Sequence, residues 1–200
     1  MFFSFLERNA PRLGDGVFLE KTLVGDPAVA FAARLRSADG SARLVEDGDA
    51  PPVLLERLVD VLARWPELPP PCFVKIDTDG CDLDIIAASE EVWRRDHPAI
   101  FFEYDPALMA VGTDPLRVLD ILAAAGYRDV LVYENTGEYM LSLDTTNRSA
   151  FEDLHAYFSA RASARYADLC AFHRDDADVS EAFRRSERRL SRDLRLSAQP

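Results

Sequence analysis

The chain has 200 residues, 48% of them hydrophobic, which is enough for one core in a single globular domain. Its formal net charge of -12 at pH 7 excludes a phosphate backbone as the main partner, because nucleic-acid-binding domains carry a basic face. The opening residues M-F-F-S-F-L-E-R-N are too short for a secretory segment or a membrane span, so we expect a cytoplasmic protein that binds neither membranes nor nucleic acids.

Cysteine and histidine are sparse and scattered along the chain. Cys72, Cys81 and Cys170 form no C-x-x-C pair, and the three histidines are widely spaced. This spacing does not predict a zinc site, and we expect the thiols to be reduced and structural.

The first 50 residues predict a helix, a strand and a hairpin. Residues 1–10 place their apolar side chains near one helical face. Residues 17–25, V-F-L-E-K-T-L-V-G, alternate loosely and lead into a turn of Asp and Pro, a pattern that favours a strand. Residues 28–35 and 41–46 favour a short hairpin or flap around an Asp-Gly turn.

The middle of the chain alternates strands and helices. Residues 53–65 predict a strand end that passes into a helix, which the prolines of residues 66–71 stop. C-F-V-K-I-D, residues 72–77, has the continuous apolar character of a strand that is buried on both faces. The acids around Gly80 suit a turn into a helix that ends by His97.

A second strand, a helix and a hairpin follow. A-I-F-F-E-Y-D, residues 99–105, predicts another buried strand, and the next helix begins with Asp114 as its cap and ends at Gly126. Residues 129–143 predict two strands joined at an Asn-Thr-Gly turn. This order predicts a doubly wound α/β fold with an antiparallel terminal hairpin.

The last quarter of the chain predicts helices. Apolar side chains between residues 151 and 172 fit an amphipathic helix or helix pair on the sheet, with core packing favoured over a partner site. Residues 180–200 are Arg-rich and predict a solvated helical tail or a partly disordered one. We therefore expect one domain over residues 1–172 and a tail over residues 173–200.

Acidic residues gather behind the two buried strands. Asp77 and Asp79 follow the first strand, and Glu103 and Asp105 lie at the end of the second. In an open α/β sheet the ends of neighbouring strands lie about 5 Å apart beside the ligand crevice, so these carboxylates should share a cation or a substrate hydroxyl. An acid after an apolar strand is costly to desolvate without a ligand, cation or donor. Lys75 either is that donor or points outward.

Two general motifs compete for the stretch D-T-D-G. A calcium EF-hand loop fails, because aligning Gly80 puts Lys75 at loop position 1 and Ile86 at position 12. A haloacid dehalogenase-like phosphohydrolase, with the motif D-x-D-G-T, is a minor alternative, since Cys81 replaces the threonine.

A third interpretation joins both acidic strand ends. F-V-K-I-D-T-D-G-C-D-L-D-I-I-A-A-S, residues 73–89, with P-A-I-F-F-E-Y-D-P, residues 98–106, resembles the FkbM family of S-adenosylmethionine-dependent methyltransferases. The family signature is an apolar-K-I-D-x-E-G-x-E-x-x-x-L stretch followed by a P-x-I-x-x-E strand. Asp79 and Asp82 stand where that signature commonly has Glu. The resemblance covers about residues 1–172.

The resemblance implies a class I methyltransferase-like (Rossmann-like) fold, with S-adenosylmethionine as donor and a hydroxyl of a sugar, glycan or secondary metabolite as acceptor. Gly25 and Asp26 match the G-D after the family's third strand and are the candidates for binding the cofactor. Asp77 is the first choice for the base that removes the hydroxyl proton, and Glu103 and Asp79 are further catalytic candidates. In a variant of this mechanism Asp77 and Glu103 together hold a Mg²⁺ ion.

The sequence departs from the family at its beginning. It contains no D-x-G-x-x-x-G loop, which in that fold holds the methionine part of the cofactor. We expect an N-terminally truncated fold, because the sequence lacks this loop and the family's first two strands. With the family's strand order of 3-2-1-4-5-7-6, residues 72–77 then form an apolar edge that invites aggregation or pairing with another chain. The alternative to an active enzyme is a non-catalytic remnant or interaction module of the same fold.

Overall fold

The computed structural model describes residues 2–14, 16–29, 33–38, 41–46, 49, 52–109, 114–160 and 165–197. Within these ranges the chain forms α1 (Phe2–Asn9), β1 (Ala33–Ala38), β2 (Ser41–Glu46), α2 (Leu58–Leu62), β3 (Phe73–Ile76), α3 (Asp82–Ala88), α4 (Glu90–Asp96), β4 (Ala99–Tyr104), α5 (Arg117–Ala124), β5 (Tyr127–Glu134), β6 (Tyr139–Asp144), α6 (Arg148–Ser159), β7 (Ala167–His173) and α7 (Ala177–Ser197). None of the helices in the described ranges is long and apolar enough to cross a bilayer.

Five strands form the central sheet, in the order β3-β4-β7-β5-β6, and β1 pairs with β2 in a separate antiparallel hairpin. β3 and β4 are parallel, whereas β7 runs antiparallel to both of its neighbours and β6 runs antiparallel to β5. The carboxyl ends of β3, β4 and β5 therefore meet at one edge of the sheet. The order β4-β7-β5 is the 5-7-6 portion of the class I methyltransferase order, which confirms the predicted α/β fold and its terminal hairpin.

Helices cover both faces of this sheet. On one face α3, α4, α5 and α6 pack against the larger core cluster, whose fully buried side chains include Ile86, Trp93, Phe102, Leu122 and Leu169. The opposite face carries a smaller cluster that includes Leu131 and Phe172, and α7 packs on it through a contact of 5.6 Å between the ring centroids of Phe172 and Phe183. The sheet is therefore a layer between two helical layers, as expected for a doubly wound fold.

The predicted strand at residues 17–25 is wrong. Residues 17–23 have no regular secondary structure, and Val24 forms only an isolated parallel bridge with Glu56. The loose alternation of apolar and polar residues is not sufficient, because a strand also requires a neighbouring strand with which it forms a ladder of hydrogen bonds. The helix α1 and the hairpin of β1 and β2 are confirmed, although the turn between these two strands and part of the predicted residues 28–35 lie outside the described residues.

The single helix predicted after residue 80 is two helices, α3 and α4, which are separated at Ser89. At this point the indole nitrogen of Trp93 donates a 2.8 Å hydrogen bond to the carbonyl oxygen of Ile86. The helix breaks here because serine is a poor residue for a helix interior. The Trp93 indole also binds the Ile86 carbonyl oxygen, which an uninterrupted helix would use as a backbone acceptor. The next helix, α5, also begins later than predicted, because the Asp114 carboxylate accepts from the Leu116 amide in a turn that precedes the helix.

The predicted amphipathic helix or helix pair between residues 151 and 172 is half right. Its first part is α6, but the second part is the strand β7, which lies between β4 and β5. The strand forms because residues 167–171 find a ladder partner on both sides, residues 172 and 173 pair with β5, and most of its side chains are buried. The Arg-rich tail is helical, as predicted, but α7 packs on the sheet instead of being wholly solvated, since Ser180 and Arg184 both donate to the Asp129 carboxylate.

Candidate functional site

A tight turn connects β3 to α3 and positions the acids that follow the strand. Asp79 and Gly80 both adopt left-handed conformations, with φ values of 51° and 111°. A Cβ atom at Gly80 would lie 2.4 Å from the carbonyl oxygen of Leu108, so only glycine fits there. The turn therefore brings the chain after Asp77 back against the segment that follows β4.

Asp82 fastens this turn to the end of β4. Its side chain is 2% exposed and accepts hydrogen bonds from the Thr78 hydroxyl at 2.8 Å and from the Glu103 amide at 3.3 Å. Burial raises the pKa of Asp82, and the hydrogen bond from Thr78 opposes this rise. Asp82 is therefore a positioning group that sets the distance between the two strand ends.

Lys75 and Asp77 form an ion pair at the free edge of β3. The Lys75 ammonium donates to Asp77 Oδ2 at 2.6 Å, and both side chains are more than half exposed. This hydrogen bond raises the pKa of Lys75, and the negative charges of Asp77, Asp168 and Glu103 raise it further against a lowering effect of burial. Of the two alternatives for Lys75, the structure supports the donor, since the ammonium lies among the carboxylates.

Glu103 is the most perturbed carboxyl group at this edge of the sheet. Its side chain is 8% exposed, and burial raises its pKa to about 7, with further contributions from the charges of Asp82, Asp77 and others. Among the described residues, none donates a hydrogen bond to its carboxylate. A carboxyl group that exchanges its proton near neutral pH is suited to general acid–base chemistry.

Asp168 is not among the predicted site residues, because the sequence pattern predicts helix where β7 forms. It is paired with Glu103 across β4 and β7, so the two side chains lie on the same face of the sheet. Burial raises the pKa of Asp168, and so does the charge of Asp77, whereas Lys75 lowers it. The short apolar run L-C-A-F, residues 169–172, was the available signal for a buried strand behind this acid.

A cleft of about 800 Å³ opens beside the carboxyl end of β3. Its walls come from β3, α3 and the segment before residue 30, and they include Leu23, Gly25, Asp26, Val29, Leu55, Leu58, Val74, Ile76, Asp77, Cys81, Ile85 and Arg117. The structure thus brings three predicted site residues, Gly25, Asp26 and Asp77, to one cleft. Glu103 instead lines a neighbouring cavity of about 10 Å³, together with Gly80, Asp82, Leu83, Asp105 and Met109.

The two predicted cofactor residues are held in place by backbone contacts. The Gly25 amide donates to the Glu56 carbonyl at 2.9 Å, and a Cβ atom at Gly25 would lie 2.9 Å from a methyl carbon of Leu55. The Asp26 carboxylate accepts from the Ala28 amide at 2.9 Å, which fixes its orientation. Both residues are therefore presented to the cleft by a defined turn.

The predicted magnesium site receives no further ligand from the described residues. A metal site needs at least three ligand atoms close together. Within the described residues, ligand atoms that all lie within 4.8 Å of one another are found on His97, His173 and Asp175, at the other end of the sheet. Asp77 instead has the Lys75 ammonium as its neighbouring cation. The residues present do not form a Mg²⁺ coordination set, and we derive no chemical step through such an ion.

Comparison with protein families gives one match. The model of the methyltransferase FkbM domain matches residues 13–128, which is more than half of the chain. The matched segment contains both walls of the cleft, the turn after β3 and the whole of β4. Comparisons with curated proteins and with solved structures gave no match.

Proposed function

The chain belongs to the FkbM methyltransferase family, and on this premise we propose that it is an S-adenosylmethionine-dependent O-methyltransferase acting on a hydroxyl of a sugar, glycan or secondary metabolite. The observation that carries the proposal is the 800 Å³ cleft in which Gly25, Asp26 and Asp77 meet beside Glu103. The family match also favours this interpretation of the D-T-D-G stretch over the dehalogenase alternative.

The residues of the cleft fit the proposed cofactor. A volume of about 800 Å³ is within the range of small-molecule sites, and the walls combine apolar side chains with a few charged groups. Val29 and Leu58 offer apolar surface to a flat ring, and Asp26 offers a carboxylate oxygen to a hydroxyl or amino group. When bound, S-adenosylmethionine supplies an electrophilic methyl group on a positively charged sulfur. Asp77 carries the charge that complements such a sulfur.

Glu103 is the group that we propose as proton acceptor. With a pKa of about 7 it is half ionised at neutral pH, which is the condition that general base catalysis favours. The sequence favoured Asp77 for this role, but the Asp77 carboxylate is exposed and engaged by Lys75. In our proposal Asp77 contributes charge at the boundary between cleft and cavity, and Glu103 takes the proton of the acceptor hydroxyl. Most of the rate then comes from holding the two reactants in line.

Calorimetric titration of S-adenosylhomocysteine into the folded chain tests the proposal. We expect saturable binding that weakens about tenfold in Asp26→Asn, because a hydrogen bond to a charged group is lost. The matched control is Asp60→Asn, which removes an exposed acid of α2 outside the cleft and should leave the affinity unchanged. A folded wild-type chain without saturable binding would overturn the dependence on this cofactor.

A second candidate is a non-catalytic interaction module that pairs with another copy. It is favoured by the position of β3 at the edge of the sheet and by Phe73, which is 54% exposed. Sedimentation equilibrium of the wild type and of Phe73→Lys tests this candidate. A dimer that Phe73→Lys dissociates, in a chain that does not bind S-adenosylhomocysteine, would favour the module over the enzyme.

A further inference from the structure

A second cluster of ligand-type side chains lies at the edge of the sheet opposite to the acidic strand ends. His97 ends α4, just before β4 begins, and His173 is the last residue of β7. Asp175 lies in the single turn of 3₁₀-helix that follows β7. The two histidines are far apart in the sequence and meet because β7 runs antiparallel to β4.

The distances within this cluster suit a bound ion. The Oδ2 atom of Asp175 lies 3.2 Å from Nδ1 of His173 and 3.7 Å from Nδ1 of His97. All three ligand atoms lie within 4.8 Å of one another. Bonds of 2.0–2.1 Å in a tetrahedral zinc site place ligand atoms about 3.3–3.4 Å apart, a separation that lies between the two observed distances.

Hydrogen bonding leaves both Nδ1 atoms of the cluster without a ring proton. Nε2 of His97 lies 3.0 Å from the Arg94 carbonyl oxygen, which only accepts, so this nitrogen carries the proton and Nδ1 carries the lone pair. Nδ1 of His173 accepts from the Asp175 amide at 3.2 Å and is therefore also unprotonated. The His97 Nδ1 lone pair thus faces the Asp175 carboxylate oxygen, whereas the His173 Nδ1 lone pair holds the Asp175 amide proton, a hydrogen bond that a bound ion replaces. A carbonyl that orients the distal nitrogen is the usual arrangement around a metal-binding histidine.

The backbone holds this arrangement in conformations that need support. His97 has φ 52° and ψ 39°, in the left-handed region that is unfavourable for a non-glycine residue. Its ring stacks on the ring of His173, with centroids 3.7 Å apart and planes at 8°. Gly126 has φ 98°, and a Cβ atom there would lie 2.3 Å from Nε2 of His173. Two unusual backbone positions therefore bring the imidazoles together, as is common at functional sites.

We propose that His97, His173 and Asp175 bind a late first-row divalent metal ion, with Zn²⁺ as the representative, and that water completes the coordination. Two imidazoles and one carboxylate suit zinc and its neighbours better than Mg²⁺ or Ca²⁺, which prefer oxygen. The ion fastens the start of β4 to the connection between β7 and α7. Because parallel rings direct their lone pairs side by side, binding tilts the partly exposed His97 ring, and the exposed Asp175 gives the ion its entry path.

The test uses the full chain after treatment with a chelator. Zn²⁺ is titrated by calorimetry, and Co²⁺ is added in parallel to record the visible absorption of a tetrahedral site. We expect one ion per chain and a higher Tm with Zn²⁺, because an ion that binds only the folded state stabilises it. His97→Gln and Asp175→Asn should each weaken binding by about a hundredfold or more, since each removes a direct ligand.

Two control variants locate the site. His155→Gln removes the third histidine, which lies on α6 and contacts Tyr104 of β4. Asp176→Asn removes the charge next to Asp175 in the same turn. Both should bind Zn²⁺ as the wild type does, and all variants should keep the wild-type near-ultraviolet circular dichroism. Absence of saturable Zn²⁺ binding by the wild type would overturn the proposal. So would binding that persists in His97→Gln and Asp175→Asn, because the ion would then be held elsewhere.

Discussion

Glu103 on β4 lies directly opposite Asp168 on β7, so two carboxyl groups from distant parts of the sequence share one face of the sheet at its carboxyl edge. Burial raises the pKa of both carboxyl groups. The negative charges of Glu103 and Asp168 in turn raise the pKa of the nearby Lys75 ammonium. The edge therefore carries several acids near a single described lysine. Its charge must change as pH passes through neutrality, because the Glu103 pKa is about 7.

The first prediction concerns Glu103 and the pH dependence of stability. Its pKa is about 7 in the folded chain, against an ordinary value of 4.5. The protonated group therefore contributes to the stability of the fold fully below about pH 4.5, and this contribution is lost as pH rises through about 7. Glu103→Gln never ionises. We expect the difference in free energy of unfolding, Glu103→Gln minus wild type, to increase by about 3 kcal/mol from pH 4.5 to pH 8. Urea unfolding across this range measures the difference.

Glu138→Gln is the control for this experiment. Glu138 is exposed in the turn between β5 and β6, so its replacement should leave the pH dependence of the wild type unchanged. Parallel stability curves for the wild type and Glu103→Gln would contradict the raised pKa of Glu103 and, with it, the proposed proton acceptor.

Much of the site could be predicted, because its residues follow strands with a strong local pattern. The apolar run before Asp77 and the run before Glu103 each predicted a buried strand, and both strands are present. The rule that parallel strands end at one edge then placed the two acids together. The cofactor candidates Gly25 and Asp26 were found through a motif, although the strand assigned before them is absent from the described residues.

The residues that were missed depend on topology. Asp168 reaches the site because β7 inserts between two strands that precede it in the chain, and no local pattern encodes that insertion. The same insertion places His173 beside His97. Spacing rules for zinc sites apply to ligands that are close in sequence, so they could not detect this pair.

The second prediction compares two glycines with positive φ. Gly126 and Gly137 have φ values of 98° and 84°, but a Cβ atom would lie 2.3 Å from His173 at Gly126 and would meet nothing within 4 Å at Gly137. Gly137→Ala should therefore cost only the conformational strain, about 1 kcal/mol. Gly126→Ala should cost at least about 2 kcal/mol more, because the His173 ring must also move. Urea unfolding of both variants in metal-free buffer measures the difference, and equal losses would show that His173 is not packed on Gly126.

The third prediction concerns the attachment of α7 to the sheet. The Asp129 carboxylate accepts from the Ser180 hydroxyl at 2.6 Å and from the Arg184 guanidinium at 3.0 Å, at a partly buried position. Asp129→Ala should lower the free energy of unfolding by about 2 kcal/mol and speed tryptic cleavage within α7, because both donors lose the acceptor that ties α7 to β5. Glu181→Ala, which removes only ion pairs along the helix surface, should change stability by less than about 0.5 kcal/mol. Unchanged cleavage in Asp129→Ala would show that α7 is held by its apolar contacts alone.

The fourth prediction separates positioning from chemistry at the acidic edge. Asp82 accepts from Thr78, Gly80 and the Glu103 amide while its side chain is buried, so Asp82→Ala leaves several donors without an acceptor. We expect Asp82→Ala to lower the free energy of unfolding by about 2–3 kcal/mol. Asp84→Ala changes an acid of the same helical turn whose position is exposed, and it should cost less than about 0.5 kcal/mol. Urea unfolding measures both changes.

Because Asp82 fixes the end of β4, the Glu103 amide should also exchange its hydrogen faster in Asp82→Ala than in Asp84→Ala. Equal exchange rates would mean that β4 holds Glu103 without help from Asp82, and Glu103 would then be positioned by the sheet alone.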